Sequence, residues 1–434
     1  MKRFFSLAIT LMNQLTYPQK FVILLLIYLP AAGVMFFSLN ANFSETIHTT
    51  QLELQGVSVI KSLTQTMQHI HQHLSTTTLV HDDFMQQEEI RIEKDLAGKI
   101  ALIEKHLPND SLLNQGGMQI NKEWRNLKSH WYGLSTKTDK WSINQNFAAH
   151  VQLLDKSQQF KENLADYYNL TFETDKTTHY LTDIIINKLP DVVEKLEQLQ
   201  ALSAGALIAQ QLTTTQENDI LVSMAKLTQS VKSLDLNFDK IGQINTLPQT
   251  MMSGIAKDIL KCTIQISNVV QSDILSKKFQ LSPNDFYALN TQVINKIYAK
   301  NYETLLPTLE SLLEKRIADT QKWRLLTIGI ACVLFFIAQY FFIGIYFATM
   351  ESIRSLVKSA QRFADGDMSE RITLKTEDEL RLVAENFNEM AARFQYLLAI
   401  SEENQQQLNK SEQNLRTLIK TIPDLIWLKD KEGA

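Results

Sequence analysis

The sequence predicts an all-α protein, an elongated helical bundle joined to two membrane-spanning helices. Three observations support this fold class. The 434 residues include only 13 glycines and 8 prolines, so few positions interrupt a helix. Apolar residues recur at three- and four-residue spacing along most of the chain, as they do on the buried face of a helix. Two stretches are also uncharged over roughly the 20 residues that a spanning helix needs.

The composition excludes several functional classes. The formal net charge is -4 and no strongly basic block occurs, so nucleic acid is not an expected partner. The two cysteines, Cys262 and Cys332, form no disulfide framework and no spacing typical of a zinc site. No P-loop, glycine-rich nucleotide box, phosphoacceptor histidine motif or catalytic carboxylate pair occurs. We therefore expect no catalytic residue and no cofactor within this segment.

Two apolar runs are the predicted membrane spans. The first is at 21–39, after a cytoplasmic N-terminal segment at 1–20, and the second is at 325–348. Trp323 and Tyr346 flank the second run and suit the membrane interface. A cleaved signal peptide is the alternative for the first run. A basic helical segment precedes that run and no A-x-A-like site follows it, so two spans are preferred.

Positive charges set the predicted orientation. Basic residues are enriched before the first span and after the second, which places both termini in the cytoplasm. Residues 40–324 then lie on the other side of the membrane. Lys322 and Arg324, just outside the second span, oppose this assignment locally. The residues that favour it are Lys2, Arg3, Lys20, Arg354, Lys358 and Arg362.

The outer region at 40–324 reads as six to eight helices. Ser282 is a predicted N-cap, followed by Pro283 at the first helical position and Asp285 near the positive helix end. Thr214 and Glu217 have the spacing of a capping box. Helix breaks are predicted at LPNDSLLNQGG, LSAG and INTLP. Long helices with short connections predict an elongated bundle that stands on the membrane.

One block of the outer region resembles the ectodomains of bacterial receptors. It runs from Ala149 to Gly205 and carries Asp175, His179-Tyr180-Leu181, Asp183 and Leu189-Pro190. The resemblance implies a helical bundle with one or two stacked ligand-sensing modules, and it leaves open which of the two is present. It also implies a periplasmic ligand of unknown identity and a location in the bacterial inner membrane.

The histidine-rich stretch HIHQHL is a candidate metal site. His69 and His73 share a helix face at i, i+4, a spacing that suits zinc. His71 points elsewhere on that helix. We prefer the interpretation that these residues form a solvated polar face and hold no metal.

Three further residues are candidate ligand groups. Arg125 has the chemistry to clamp a carboxylate between Trp124 and Trp131. The alternative is that both tryptophans belong to the core and that Arg125 is a surface residue. His179 and Tyr180 come from the receptor-like block, and their alternative role is packing between helices.

The segment at 349–399 carries the most specific pattern, and it resembles a HAMP domain. The resemblance implies two short helices per chain that form a parallel four-helix bundle in a dimer. A generic coiled coil is the alternative. The family usually has Pro near Ser352 and Gly at Arg381, so the bend after the span and the start of the second helix are in question. The signalling residues carried over are Gly366, Asp378, Glu379, Phe387, Asn388 and Met390, and the apolar anchors are Ile353, Leu356, Ala360, Phe363, Met368, Ile372 and Leu374.

A coiled-coil linker at 400–418 continues the second helix. Apolar residues keep 3-4 spacing from Leu380 through Leu408 and Leu415, which predicts a parallel dimer. Ser401, Asn404 and Ser411 are polar positions in this seam.

The last residues, 419–434, resemble the start of a PAS domain. Pro423 precedes a short apolar run at 425–428, and Gly433 suits a tight turn. Only the first strand and turn of such a domain are present. We therefore expect the chain to be a fragment whose output domain lies beyond Ala434.

These features predict the sensory and relay portion of a bacterial transmembrane receptor. The preferred whole protein is a sensor histidine kinase of a two-component phosphorelay, with a diguanylate cyclase as the alternative and a non-sensory membrane scaffold as a further one. A chemotaxis receptor is disfavoured because a PAS start follows the HAMP-like segment. The expected partners are a second copy of the chain, the lipid bilayer, a periplasmic ligand and a response regulator. ATP is expected only in the output domain.

Overall fold

The computed structural model describes residues 6–78, 83–108, 115–136, 141, 143–172, 175–244 and 249–421. Every regular element in these ranges is helical, which confirms the predicted all-α class. Most of the predicted PAS start, at 422–434, lies outside the described residues.

The helices follow one another with short connections, and three π-helical turns interrupt them. Their bounds are α1 Ser6–Asn13, α2 Tyr17–Thr78, α3 Asp83–His106, α4 Gln115–Ser135, α5 Ile143–Tyr167, α6 Lys176–Asp183, π1 Ile184–Lys188, α7 Leu189–Ala209, α8 Thr214–Gln243, α9 Gln249–Val269, π2 Val270–Leu275, α10 Pro283–Lys300, π3 Asn301–Leu305, α11 Leu306–Ala364 and α12 Glu379–Thr421.

The chain divides into two compact units. One comprises Met1–Leu39 with Leu326–Ala434, and the other comprises Asn40–Leu325, called the outer unit below. By length and composition, two helical stretches could cross a membrane, one within Tyr17–Leu74 and one within Pro283–Ala364. No residue in the apolar window of either stretch is buried inside the chain. This exposure fits segments whose apolar side chains face lipid.

The buried apolar residues of the outer unit form one cluster that runs in sequence from Val57 to Leu313. Each fully buried aliphatic side chain contributes roughly 1.5–3 kcal/mol of burial free energy, so this cluster stabilises the helices against one another. Gly56 allows one close approach in it. A Cβ atom at Gly56 would lie 2.4 Å from the Cβ of Tyr168, so α2 could not pass this point with a larger residue.

The helix ends confirm one predicted cap and correct another. Ser282 accepts a hydrogen bond from the Asp285 amide at 3.0 Å, as predicted. The capping box lies one residue before the predicted pair, because Thr213 and not Thr214 has the extended backbone of an N-cap (φ -76, ψ 159). Thr213 accepts from the Gln216 amide at 3.2 Å, and Gln216 accepts from the Thr213 amide at 3.0 Å.

The predicted break at LSAG is wrong. Helix α7 continues through this stretch to Ala209 and ends where Gln210 takes a left-handed conformation with φ 49. Ala206 and Leu207 are buried, and their packing outweighs the roughly 1 kcal/mol that one glycine costs in a helix. When each π turn is joined to the helices beside it, the described part of the outer unit has eight continuous helical segments, within the predicted six to eight.

Two prolines inside continuous helices each follow a π turn. Pro190 comes after π1, and Pro307 comes after π3. Proline has no N–H, so an ordinary helix would leave the carbonyl four residues earlier without a donor. At Pro190 this carbonyl belongs to Ile186, and it accepts from the side chain of Gln158 at 2.8 Å. Lys161 donates to the neighbouring Ile185 carbonyl, also at 2.8 Å. Side chains of α5 therefore satisfy the carbonyls that π1 frees.

Candidate functional site

The connector between α11 and α12 is held by one amide side chain. Asn388 accepts from the Ile372 amide and donates to the Ile372 carbonyl, each at 2.8 Å. Ile372 is buried beside it. An amide is the side chain that can both donate and accept here, whereas a carboxylate only accepts. Asn388 therefore fixes the middle of the connector against α12.

The same connector is tied to the end of α11. Glu370 accepts from the Ser359 hydroxyl at 2.7 Å and from Arg362 at 3.5 Å. The ring of Phe363 packs edge-on against Phe387, with centroids 5.5 Å apart. These contacts join α11, the connector and α12 into one local cluster. The sequence did not single out Ser359 or Glu370, because a single serine and a single glutamate carry no pattern, although Ser359 is buried and Glu370 half-buried in the structure.

The other predicted signalling residues lie at the turns and on the surface. Gly366 follows α11 with φ 108, a conformation that favours glycine. Asp378 accepts from the Leu380 amide at 3.0 Å, and Glu379 is the first residue of α12. Met390 is 44% exposed. The structure thus brings Phe387 and Asn388 together with the connector and leaves Met390 on the outside of α12.

The predicted seam of α12 is an uncovered apolar face in a single chain. Leu408 and Leu415 are 63% and 55% exposed. In proteins most of the stability of a helix comes from the packing of its apolar face. Such a face is typical of a coiled-coil strand that packs against another helix. The remaining exposed seam residues are Val383, Met390, Phe394, Leu397 and Leu418.

The histidine-rich stretch is mostly buried, so its interpretation as a solvated face is wrong. His73 is fully buried, and its Nδ1 lies 2.8 Å from Nε2 of His150. His150 Nδ1 contacts the Asn146 carbonyl at 2.8 Å, and because a carbonyl only accepts, this nitrogen carries the hydrogen. In the neutral rings His150 Nε2 then accepts from His73. The edge of Trp131 closes the pair, with ring centroids 5.2 Å apart.

The predicted pair of His69 and His73 does not come together as a site. His69 Nδ1 lies 3.1 Å from the side-chain oxygen of Gln72, on a half-buried surface. His73 faces the core because α2 packs there against α4 and α5. Within the described ranges, no three His, Cys, Asp or Glu side chains are placed to hold a metal ion.

The other ligand candidates are also separated. Arg125 is exposed, whereas Trp124 and Trp131 are buried in the core, so the tryptophans do not flank the guanidinium. His179 is exposed, and its ring contacts that of Tyr180 at 5.4 Å between centroids. The Nζ of Lys240 lies 4.9 Å from the centre of the Tyr180 ring.

The receptor-like block contacts the helix that leads to the second span. Asp175 caps α6 by accepting from the Thr178 amide at 2.9 Å. Arg316 on α11 donates to Thr178 at 2.8 Å and pairs with Glu53 at 3.0 Å. Since Glu53 is buried, this ion pair holds α2, α6 and α11 together within the outer unit.

An acidic groove lies between α5, α7 and α8. Its volume is about 450 Å³, and its lining includes Asp155, Glu194 and Glu197, called the carboxylate wall below. These three residues also line an adjoining cavity of about 240 Å³, together with His71 and Tyr298. No single stretch of sequence carries this site, because its residues come from helices far apart in the chain.

Burial sets the protonation of the carboxylate wall. Desolvation, followed by the charges of Asp155 and Glu194, raises the pKa of Glu197 well above its usual value. Desolvation lowers the pKa of His71 to about 3. His71 Nδ1 contacts the Glu197 carboxyl group directly. Both shifts favour the neutral form of the group concerned, so in this pair the proton stays on Glu197 and His71 Nδ1 faces it without one. The pKa of Asp155 is also raised, by desolvation and then by Glu194, with Lys195 opposing the shift.

Comparison with known proteins assigns one segment to a family. Residues 347–395 match the HAMP domain family. A probable methyl-accepting chemotaxis protein of Bacillus thuringiensis is 26% identical over 169 residues, which are 38% of this chain and 24% of that protein. An uncharacterised sensor-like histidine kinase of Pyropia yezoensis is 35% identical over 86 residues, 20% of this chain and 13% of that protein. The chain thus spans a quarter or less of these relatives. No solved structure matches it.

Proposed function

We propose that this chain, a HAMP-containing transmembrane receptor that transduces a signal, is the sensory and relay portion of a bacterial sensor histidine kinase. The observation that carries the proposal is the HAMP match at 347–395, which begins within the second apolar helix. The outer unit, Asn40–Leu325, is in this proposal the periplasmic sensor, and both termini are in the cytoplasm of a cell with an inner membrane.

The proposed mechanism is a shift between two packings of the HAMP bundle in a homodimer. A ligand can move this equilibrium only if it binds the outer unit with different affinity in the two states. A shift from 1:99 to 99:1 needs a roughly 10⁴-fold difference in affinity. The cluster of Asn388, Ile372, Glu370 and Ser359 is the natural element for two discrete packings, because it links both HAMP helices through the connector.

The proposed output is a kinase domain that binds ATP and phosphorylates a response regulator. The relative named as a sensor-like histidine kinase supports this choice over a PAS-containing diguanylate cyclase. A chemotaxis-type receptor is the second candidate, and the relative from Bacillus thuringiensis favours it. A passive scaffold is disfavoured because it has no use for a HAMP bundle.

A chimera tests the coupling of the outer unit to an output. Residues 1–421 are joined in coiled-coil register to the dimerisation and catalytic domains of a histidine kinase, and autophosphorylation is measured in membranes. Arg316→Ala breaks the ion pair with Glu53, so we expect it to change kinase activity several-fold. Lys315→Ala, at an exposed neighbouring position, is the matched control and should leave activity unchanged.

A second pair of chimeras tests the relay. A one-residue insertion after Glu403 rotates the following helix by about 100° and should change kinase activity, whereas a seven-residue insertion restores the phase and the activity. If neither Arg316→Ala nor the insertions change the kinase activity of the chimera, the proposed function is refuted.

A further inference from the structure

The shape and the lining of the acidic groove, as well as its charge, suit a small-molecule binding site. Its middle is apolar, with Val151 from α5, Leu202 from α7 and Val222 from α8. Val222 is 53% exposed although it lies in a concave surface. A volume of about 450 Å³ is within the roughly 300–1,000 Å³ of small-molecule sites.

A buried hydroxyl in the groove lacks a hydrogen-bond partner among the residues that the structure describes. Ser223 is 5% exposed, and its Oγ has no hydrogen-bond partner. The same residue lines the groove. A buried polar group without a hydrogen bond is energetically costly. Thr64 and Ser203, elsewhere in the outer unit, have buried hydroxyls in the same state, and what distinguishes Ser223 is its place in the lining of the groove. Ser223 is therefore a candidate to pair with a polar group on a bound molecule.

The charged residues of the groove indicate the charge of the molecule that would bind there. Four carboxyl groups line it, from Asp155, Glu194, Glu197 and Asp219, against one lysine, Lys226. Glu197 is neutral, so three carboxylates carry the negative charge. Asp155 and Glu194 lie at the end that adjoins the second cavity, and Asp219 lies one turn before Ser223 on α8. The three carboxylates outnumber the one lysine, so the groove attracts a cation more strongly than an anion.

We propose that the acidic groove is the ligand site of the outer unit and that its ligand is a small aliphatic amine. The ammonium group lies against Asp155 and Glu194 of the carboxylate wall, and the hydrocarbon chain packs on Val151, Leu202 and Val222. The Ser223 hydroxyl accepts from or donates to a polar group of the same molecule. This assignment rests on the proposed function, since it names the ligand class of the proposed sensor.

The apolar middle of the groove distinguishes an amine from a metal cation. Calcium and magnesium take six or more oxygen ligands at 2.0–2.6 Å, as a rule, in compact polar sites. Three of the groove residues named above, Val151, Leu202 and Val222, have aliphatic side chains, which cannot coordinate a metal ion but give an alkyl chain a contact surface. Asp155 and Glu194 are exposed, so an ammonium group can reach both carboxylates. One Glu194 oxygen already accepts from Lys195 and from Gln198, each at 2.7 Å, so the ammonium group would share this carboxylate with them.

Titration calorimetry on the full chain in phosphatidylcholine nanodiscs tests the ligand class. The probe is 1,5-diaminopentane, and the controls with the same carbon chain are 1,5-pentanediol and glutarate. We expect the diamine to bind and both controls to be inert. Because a hydrogen bond to a charged group contributes about 1.5–3 kcal/mol, Asp155→Asn and Glu194→Gln should each weaken binding about 10- to 100-fold.

Two further variants make the test specific. Ser223→Ala should weaken binding roughly three- to tenfold, because a neutral hydrogen bond is lost. Asp239→Asn removes an exposed carboxylate from the same helix, about 24 Å further along α8, and should change the affinity less than twofold. Unchanged melting temperatures show that each variant is folded. Inert diamine, or binding of Ca²⁺ in its place, would overturn the assignment.

The kinase chimera separates this assignment from the proposed function. One outcome is that the diamine binds, that Asp155→Asn weakens this binding, and that neither the diamine nor Arg316→Ala changes the kinase activity of the chimera. The ligand class is then supported and the proposed relay is refuted. If the diamine is inert while Arg316→Ala and the one-residue insertion still change kinase activity, the relay stands and the ligand class is wrong.

Discussion

Lys161 makes the stability of the outer unit depend on pH in a way that can be measured. This lysine is 1% exposed, and its Nζ donates to the Ile185 carbonyl in π1. Desolvation lowers its pKa to about 7, with Glu162 opposing the shift weakly. In the unfolded chain the same amine has its ordinary pKa near 10.5. Between these two values the unfolded chain binds one more proton than the folded protein.

The sign and size of the effect follow from this difference in bound protons. Stability rises with pH wherever the unfolded state binds more protons, with a slope of about 1.4 kcal/mol per pH unit for one proton. Below pH 7 both states are protonated and the slope from Lys161 vanishes. From pH 7.5 to 9.5 the free energy of unfolding should rise by about 2.5 kcal/mol relative to a variant without this amine.

Lys161→Met is that variant, since methionine fills similar space and does not titrate. Urea unfolding of the full chain at several pH values, followed by tryptophan fluorescence, gives the free energy of unfolding of the outer unit for both proteins. Subtracting the two curves cancels the titration of all other groups. Lys232→Met, at an exposed position on α8, is the control. Its free energy of unfolding should change with pH in the same way as that of the wild type. A difference curve for Lys161→Met that is flat between pH 7.5 and 9.5 would refute the lowered pKa.

The remaining predictions concern the HAMP segment and metal binding. In a chain free of other cysteines, mild oxidation should cross-link Leu408→Cys and Leu415→Cys strongly and Gln406→Cys weakly, because seam positions of a parallel dimer approach disulfide distance; preference for the Gln406 site would mean that the register is wrong. Asn388→Asp loses the donor to the Ile372 carbonyl and should destabilise the cluster by about 1–3 kcal/mol, visible as faster proteolysis of the connector. Zinc should leave the melting temperature of the protein unchanged. A protein that bound zinc in its folded state would gain about 2.7 kcal/mol in free energy of unfolding at a zinc concentration of 100 times Kd, and its melting temperature would rise.

Local signals in the sequence predicted the elements whose structure depends on local physics. Ser282 could be assigned as a cap because capping needs one side chain and the amide three residues later. Helix α12 could be predicted because its apolar residues recur with the period of a helix. The capping box at Thr213 was misplaced by one residue, since two threonines in a row offer the same chemistry and only the backbone at Thr213 decides between them.

The burial of the histidines and the position of the groove depend on tertiary packing, which local sequence patterns do not show. His71 and His73 read as polar surface, yet the helices around α2 bury both of them. The groove is a stronger case, because Asp155, Glu197 and Ser223 are ordinary residues on three separate amphipathic helices. Nothing in their local patterns distinguishes them from solvated side chains. Only the packing of α5, α7 and α8 brings them to one surface.

The groove lies where the helical hydrogen bonding of the outer unit is already irregular. Asp155 of the carboxylate wall is on the same helix as Gln158 and Lys161, which hold the carbonyls freed by Pro190. π turns inside α-helices are rare and are frequent at functional sites. An ammonium group bound between α5 and α7 would therefore act next to such a turn, whose carbonyls α5 holds.

Helix α7 connects this element to the chain that reaches the second apolar segment. Asn290 on α10 donates to the Leu196 carbonyl at 3.1 Å and to the Gln200 side chain at 2.8 Å. Both acceptors are on α7, within one turn of Glu197. Helix α10 then continues through π3 and Pro307 into α11. The buried amide of Asn290 therefore links α7, which lines the groove, to the helical segment that continues into α11. A ligand in the groove that binds two packings of α7 with different affinity would bias this segment.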